Sequence, residues 1–305
     1  MFNDKKVKKL FIPILMAALL MTACGHRTSG NAADSDSVAV DSMFAVDSIG
    51  QMREDTMAMV KISIAWPKGS NEPLCASIRR YICEQLAAGL TMEGKPDVIL
   101  YKDGKTAVKA TLDKHYRNLV ADRTDTIGGA NYDGMQFSFA QSINLLEETD
   151  TYVTYCETTE GFLGGAHGSA TGTGITFRKS DGKRIGYHTE FNRQTEQFEM
   201  KDQTLFSKPQ SAALAALIKE GVRSYFQEFQ DSKVTDEELL NNLIGVNSVD
   251  SIPLPSNPPI FTKKGLCFTY QQYEIAPYAA GMINFDITYD KIRPHLTPDA
   301  QALID

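Results

Sequence analysis

The stretch Met135–Glu157, MQFSFAQSINLLEETDTYVTYCE, decides the fold class. Met135, Phe137 and Phe139 alternate with polar residues, and Ile143 and Leu145 continue the same face, which is the two-residue period of a half-buried strand. Glu148-Thr149-Asp150 reads as a turn, and TYVTYCE returns as a second strand. Ser180-Asp181-Gly182-Lys183 predicts another hairpin, because Asp-Gly favours a two-residue turn. Two later strands are expected over Phe261–Tyr273 and Met282–Tyr289, joined by EIAPYAAG. Upstream, Val60, Ile62, Ile64 and Trp66 alternate with Lys61, Ser63 and Ala65, predicting a first strand.

Helices stand between these strands. Leu74, Ile78, Ile82 and Leu86 recur every four residues and predict a helix from about Glu72 to Leu90. A second is expected over roughly Thr106–Ala121, burying Val108, Leu112 and Leu119. The longest runs from about Lys208 to Gln230, with Ser207 as its cap and Pro209 in its first turn. Thr235 with Glu238 three residues on has the capping-box pattern. The prolines between Pro253 and Pro259 mark a loop. Because hairpins dominate, the class is α+β, mainly antiparallel sheet with packed helices. Two intimately packed subdomains are expected, 56–128 and 129–305.

The first residues carry a different signal. Lys5, Lys6, Lys8 and Lys9 precede the apolar run Leu10–Met21, followed by the small residues Thr22 and Ala23 and then Cys24-Gly25. This order is that of an export signal, and Leu20–Cys24 resembles a lipobox with Met21 where leucine is commoner. The expectation is a signal peptide over 1–23 and acylation of Cys24, which would hold the chain on a membrane. The run is shorter than the ~18 apolar residues a spanning helix needs. Gly25 in place of aspartate directs the expectation to the outer membrane of a two-membrane cell envelope. Residues 24–55 are rich in Ser, Asp, Ala and Gly and read as a flexible acidic tether, with a reach of roughly 30 Å.

Net charge is −7 for the chain, and Lys5, Lys6, Lys8 and Lys9 against Asp4 give +3 in residues 1–23, leaving −10 beyond them. That balance argues against nucleic acid as a partner. Cys75, Cys83, Cys156 and Cys267 remain after Cys24. They permit two disulfides or four buried thiols; Cys75 and Cys83 lie about 12 Å apart along a shared helix and cannot pair. No Cys/His spacing suggests zinc, and no cofactor is expected.

The candidate ligand-binding residues are His167, Tyr273, Glu274 and Tyr278. His167 sits in Gly164-Gly165-Ala166-His167-Gly168, where glycine permits unusual backbone and close approach. With Glu157, Glu160 or Glu274 beside it, an imidazole can serve as a general base; alone, it can simply bond a turn. Tyr273 and Tyr278 can make an aromatic platform, while Pro277 and Gly281 shape a sharp connection between strands. His188 reads as a surface residue, and His115 as lying on a polar helical face. The Gly172-Thr173-Gly174 run lacks the GK[ST] of a phosphate loop, and no G-x-S-x-G elbow occurs.

Three segments together resemble a known family: FLGGAHG at 162–168, RKSDGKRI at 178–185, and KGLCFTYQQYEIAPYAAGMINFDITYDKIRP at 264–294. They are similar to the extracellular module of the anti-sigma factor RsiV, found also beside the deacetylase domain of PdaC. The similarity covers most of residues 130–296, and more weakly 57–125. The resemblance implies an α+β ectodomain on a membrane anchor that binds a ligand, lysozyme in the case of RsiV. Neither a sigma-binding segment nor the deacetylase Asp-Asp and His-x-x-x-His ligands can be found in this sequence. The function expected is thus a lipid-anchored envelope domain that binds or senses a lysozyme-like protein or a cell-wall glycan without catalysis. The alternative is a small hydrolase of envelope glycans using His167 with a nearby carboxylate. A scaffold role in an outer-membrane complex is a third reading.

Overall fold

Alternation at Val60, Ile62 and Ile64 produces what it predicts: all three side chains are buried, and they floor the first of two cores. The computed structural model describes residues 44–88, 97–124, 132, 134–192, 194 and 197–305. The expected signal peptide, Cys24 and the tether up to residue 43 lie outside the described residues.

Strand β1 (Ala45–Glu54) pairs antiparallel with β2 (Ala58–Lys68), from Ala45 opposite Lys68 to Glu54 opposite Met59. Residues 45–54, expected to belong to the flexible tether, are thus a strand. Composition misled here for a physical reason. β1 is an edge strand with most of its side chains in solvent, and it is held by the backbone ladder and by Val46 and Ile49 against the core.

β2 next pairs in parallel with β3 (Phe137–Glu148), from Ala58 opposite Phe137 to Ile64 opposite Ile143. A parallel pair needs a crossover, and helices α1 (Glu72–Ala88) and α2 (Gly104–Thr124) supply it. Their buried residues, including Leu74, Ile78, Ile82 and Leu86 of α1 and Val108, Leu112 and Leu119 of α2, join β2 and β3 in the first core. Strands β4 (Tyr152–Phe162), β5 (Ser169–Arg178) and β6 (Arg184–Ile185) extend the sheet antiparallel, in the order β1-β2-β3-β4-β5-β6.

The boundary expected at 128/129 falls inside this sheet, since β2 before it is hydrogen-bonded to β3 after it. Hydrophobic packing divides the chain elsewhere. One core draws on residues 44–177, and the other on Tyr152 and residues 185–303. The β5–β6 turn is also longer than Asp-Gly alone implies. Arg178 and Lys183 close it through a 2.9 Å bond from the Arg178 N–H, leaving four residues in the loop. The bidentate pair of Arg178 with Asp181 braces that loop.

The second core begins with the hairpin β7 (His188–Asn192) and β8 (Gln197–Lys201). Helix α3 (Ala212–Gln230) follows, four residues later than expected: Ser211 is its cap, accepting from Leu214 N–H, while the Ser207 hydroxyl donates to the Leu296 carbonyl. Helix α4 (Asp236–Asn241) carries the expected capping box of Thr235 and Glu238. A three-stranded sheet in the order β11-β10-β9 then forms from β9 (Ile260–Thr262), β10 (Gly265–Tyr270) and β11 (Ile283–Ile287). Two one-turn helices, α5 (Tyr289–Ile292) and α6 (Pro298–Gln301), close the chain. Leu214, Ile218, Val222 and Phe226 of α3 pack over β11, where Phe285 stacks on Phe268 at 5.3 Å. Gly221 makes that contact feasible, because a Cβ there would stand 2.1 Å from the Phe285 ring. The architecture is α+β with a mostly antiparallel six-stranded sheet.

Cys75, Cys83, Cys156 and Cys267 are all free thiols. Burial pushes the Cys267 thiol up to about 12, so it stays protonated and inert near neutrality. No helix among the described residues is long and apolar enough to cross a membrane.

His115 corrects the expectation of a polar setting. It follows Leu112 by three residues and precedes Leu119 by four, so it belongs to the apolar stripe of α2 and is fully buried against Phe139 at 4.8 Å. Neither ring nitrogen has a hydrogen-bond partner. Burial, helped by Lys114, pushes its pKa down from 6.5 to about 4. The unfolded chain thus takes up this proton at higher pH than the folded one. Stability is complete above about pH 6.5 and drains away as pH falls through that window, by roughly 3 kcal/mol at its lower end. Urea midpoints measured from about pH 7 to pH 4 should show this acid loss in the native chain, and His115→Leu should flatten it.

Candidate functional site

The β4–β5 connection turns over Leu163–Gly168, with Gly164 at φ 82° and Gly165 at φ 94°. Gly164 has a second constraint: a Cβ would meet the Tyr132 ring at 2.7 Å. The turn delivers His167 to the surface at the end of the sheet. Its Nδ1 lies 2.8 Å from the Gly168 carbonyl, and since a carbonyl only accepts, Nδ1 carries the proton. The lone pair on Nε2 then faces the Tyr273 hydroxyl at 3.5 Å.

The imidazole stacks on the Tyr278 ring, with centroids 3.9 Å apart and an interplanar angle of 23°. Tyr278 donates its hydroxyl to the same Gly168 carbonyl at 3.0 Å, and the Tyr273 ring lies 5.7 Å from it. Three of the four expected site residues are therefore brought together as one aromatic cluster. Tyr273 is 55% exposed and sits at φ 65°, a backbone region that costs a non-glycine residue free energy.

Glu274, the fourth, does something else. Its Oε1 accepts from Ser256 N–H at 2.6 Å and its Oε2 from Gln271 N–H at 2.7 Å. It clamps the proline loop to the end of β10 and holds the backbone that presents Tyr273. Among the described residues His167 makes no ion pair with Glu157, Glu160 or Glu274. Glu157 lies four residues along β4 from Gly161, whose partner is Ser169, so roughly 13 Å of strand separates it from the turn.

The segment holding the tyrosines also closes a gap in the sheet. β6 covers β5 only at Thr176 and Phe177, so Gly168, Ala170 and Gly172 turn their polar backbone groups toward an open edge. Side chains complete it. The Gln271 amide accepts from Gly172 N–H at 3.0 Å and donates to its carbonyl at 2.6 Å, Gln272 accepts from Ala170 N–H, and Tyr278 serves Gly168.

Sequence reading missed the polar recess that opens farther along the same strands. Cross-strand pairs Glu157–Thr173 and Thr159–Thr171 place these four side chains on one face. With Gln85, Asn257 and Gln271 they line a space of about 300 Å³. Glu157 is its buried floor, accepting from Gln141 at 2.6 Å and from Thr173 at 3.3 Å. Burial raises its pKa, against the lowering effect of those two bonds. The signal was available in the two-residue spacing of Glu157 with Thr159 and of Thr171 with Thr173, but antiparallel register is needed to join them.

This arrangement defines a class: an α+β domain whose capped sheet edge carries an exposed aromatic cluster beside a hydroxyl-lined recess. Residues 202–290, which hold the second core from α3 to β11, match the family described as protein of unknown function (DUF3298). The fold is similar to two solved structures of that family. One, from Bacteroides fragilis, shares 17% identity at a TM-score of 0.58, covering 84% of this chain and 94% of its own. The other, from Pseudomonas aeruginosa PAO1, shares 13% identity at a TM-score of 0.50, covering 84% and 95%. No curated protein matches the chain.

A buried carboxyl whose pKa is raised on folding costs stability as pH climbs through that raised value, because the folded state then holds a desolvated charge. Glu157→Gln keeps the shape and removes the charge. It should stabilise the protein more at about pH 8 than at about pH 4, as read from urea unfolding at both values.

Proposed function

We propose that this chain is a binding domain of the cell envelope, held on a membrane by lipid on Cys24, and that its ligand is a cell-wall glycan or a lysozyme-like protein. The observation that carries the reading is the aromatic cluster. Tyr273 is kept exposed on a backbone conformation that disfavours it, with His167 and Tyr278 stacked beside it. Strain maintained to present an aromatic ring to solvent is characteristic of recognition surfaces. The RsiV-type resemblance supplies the ligand classes, the lipobox-like Leu20–Cys24 supports the anchor, and Gly25 in place of aspartate supports the outer-membrane location.

Binding here needs no chemistry from the protein. Flat rings stack on the apolar faces of sugars or fill a partner's pocket, and the nearby threonines and amides offer hydroxyl and amide partners. Pull-down with peptidoglycan fragments and with lysozyme tests the reading. One ligand should be retained by the native chain, and Tyr273→Ala should weaken it by about tenfold, the loss typical of an interface aromatic. Retention of neither ligand overturns the proposal, and palmitate labelling of Cys24 checks the anchor separately.

A further inference from the structure

A second cavity lies away from the aromatic cluster, between the outer face of α1, the 98–101 segment and the β5–β6 turn. It encloses about 650 Å³. Arg79 and Arg80 line it from α1, Lys183 and Arg184 from the turn, and Leu100 with Tyr101 from the third side. In a chain of net charge −7, four cations converge on one groove.

Their carboxylate partners position them without closing the groove. Glu72 pairs with Arg79 at 3.0 Å, Glu84 with Arg184 at 2.6 Å and Asp299 with Lys183 at 2.6 Å, and none of the three carboxylates lines the cavity. Arg80 is exposed and has no carboxylate partner among the described residues. One guanidinium nitrogen of Arg184, Nη2, is buried without any acceptor. That nitrogen faces the Tyr81 and Phe177 rings, so Arg80 is the groove's uncompensated cation among the described residues.

Leu100, which lines the groove, is 56% exposed, and Val98 and Ile99 directly before it in the chain are 42% and 60% exposed. Apolar residues in solvent, set beside the unpaired Arg80 and three further cations, match the two halves of an amphiphile. We propose that this groove binds the phosphate headgroup of an anionic phospholipid, with Val98, Ile99 and Leu100 against its acyl chains. Several cations on two walls suit a phosphate, whose oxygens are spread in three directions, better than a single planar carboxylate. Net negative charge repels the rest of the molecule from an anionic bilayer, so the groove also sets which face approaches it. The proposal is independent of the glycan or protein reading.

The test is isothermal titration of the full chain carrying Cys24→Ser, which removes any acyl group of its own. The ligands are dihexanoyl phosphatidylglycerol, dihexanoyl phosphatidylcholine and inorganic phosphate. Phosphatidylglycerol should bind about tenfold more tightly than the other two, and Arg80→Glu should weaken it by about tenfold or more, since each basic residue near an anionic headgroup contributes on the order of 1 kcal/mol. Arg80 is exposed and unpaired, so the thermal midpoint of that variant should not change. Leu100→Ser should weaken phosphatidylglycerol and leave inorganic phosphate unaffected. Equal binding of the two lipids, or binding insensitive to Arg80→Glu, overturns the proposal. Phosphate binding as tightly as phosphatidylglycerol, with no effect of Leu100→Ser, also overturns it, because the groove is then a simple anion site.

Discussion

Where β6 stops short, the outward N–H and C=O groups of β5 need other partners, and at Ala170 and Gly172 they find them in side chains. Beyond Thr176 its open edge is served by Gln271, Gln272 and Tyr278, all from the segment between β10 and β11. Edge groups left to water invite pairing with another chain, and these contacts remove that hazard for Gly168, Ala170 and Gly172. They also join the two cores, since β5 belongs to the first and Tyr270, Ile275 and Ile283 around the capping segment to the second. The aromatic cluster is a product of the same contacts. Tyr278 reaches Gly168 while stacked on His167, and Glu274 ties Ser256 to Gln271 beside the exposed Tyr273.

Much of this was legible in the sequence wherever burial is periodic. The alternation in β2 and β3, the four-residue spacing in α1 and the capping box at Thr235 all reflect local rules that hold regardless of the rest of the chain. The segment at 273–281 stood out, and His167, Tyr273 and Tyr278 do meet in space. What could not be read had long-range causes. β1 looks like a tether because its stability comes from backbone pairing rather than from its side chains. The parallel β2–β3 pair, invisible to any local pattern, dissolves the expected boundary at 128/129. Glu274 resembles a catalytic carboxylate in sequence, yet both of its oxygens are committed to backbone amides. His115 was misplaced because a polar residue in an apolar stripe reads as polar until its neighbours are known.

The two proposed surfaces divide along chemical lines. The capped edge presents rings, hydroxyls and amides, the inventory of a surface that recognises neutral hydroxyl-rich or protein ligands. The groove beside α1 presents guanidinium groups and an aliphatic rim. The two draw on different parts of the chain: the aromatic cluster stands on the 163–168 turn and the segment after β10, the groove on α1 and the β5–β6 turn.

Side chains of the 271–278 segment act as the missing neighbour of β5. Amide hydrogen exchange at Ala170 and Gly172, read residue by residue in the full chain, tests it most directly. Slow exchange comparable to the β4–β5 ladder is expected, with Gly172 losing its protection in Gln271→Ala. Exchange at these two amides as fast as at an unpartnered edge strand in the native chain would contradict it.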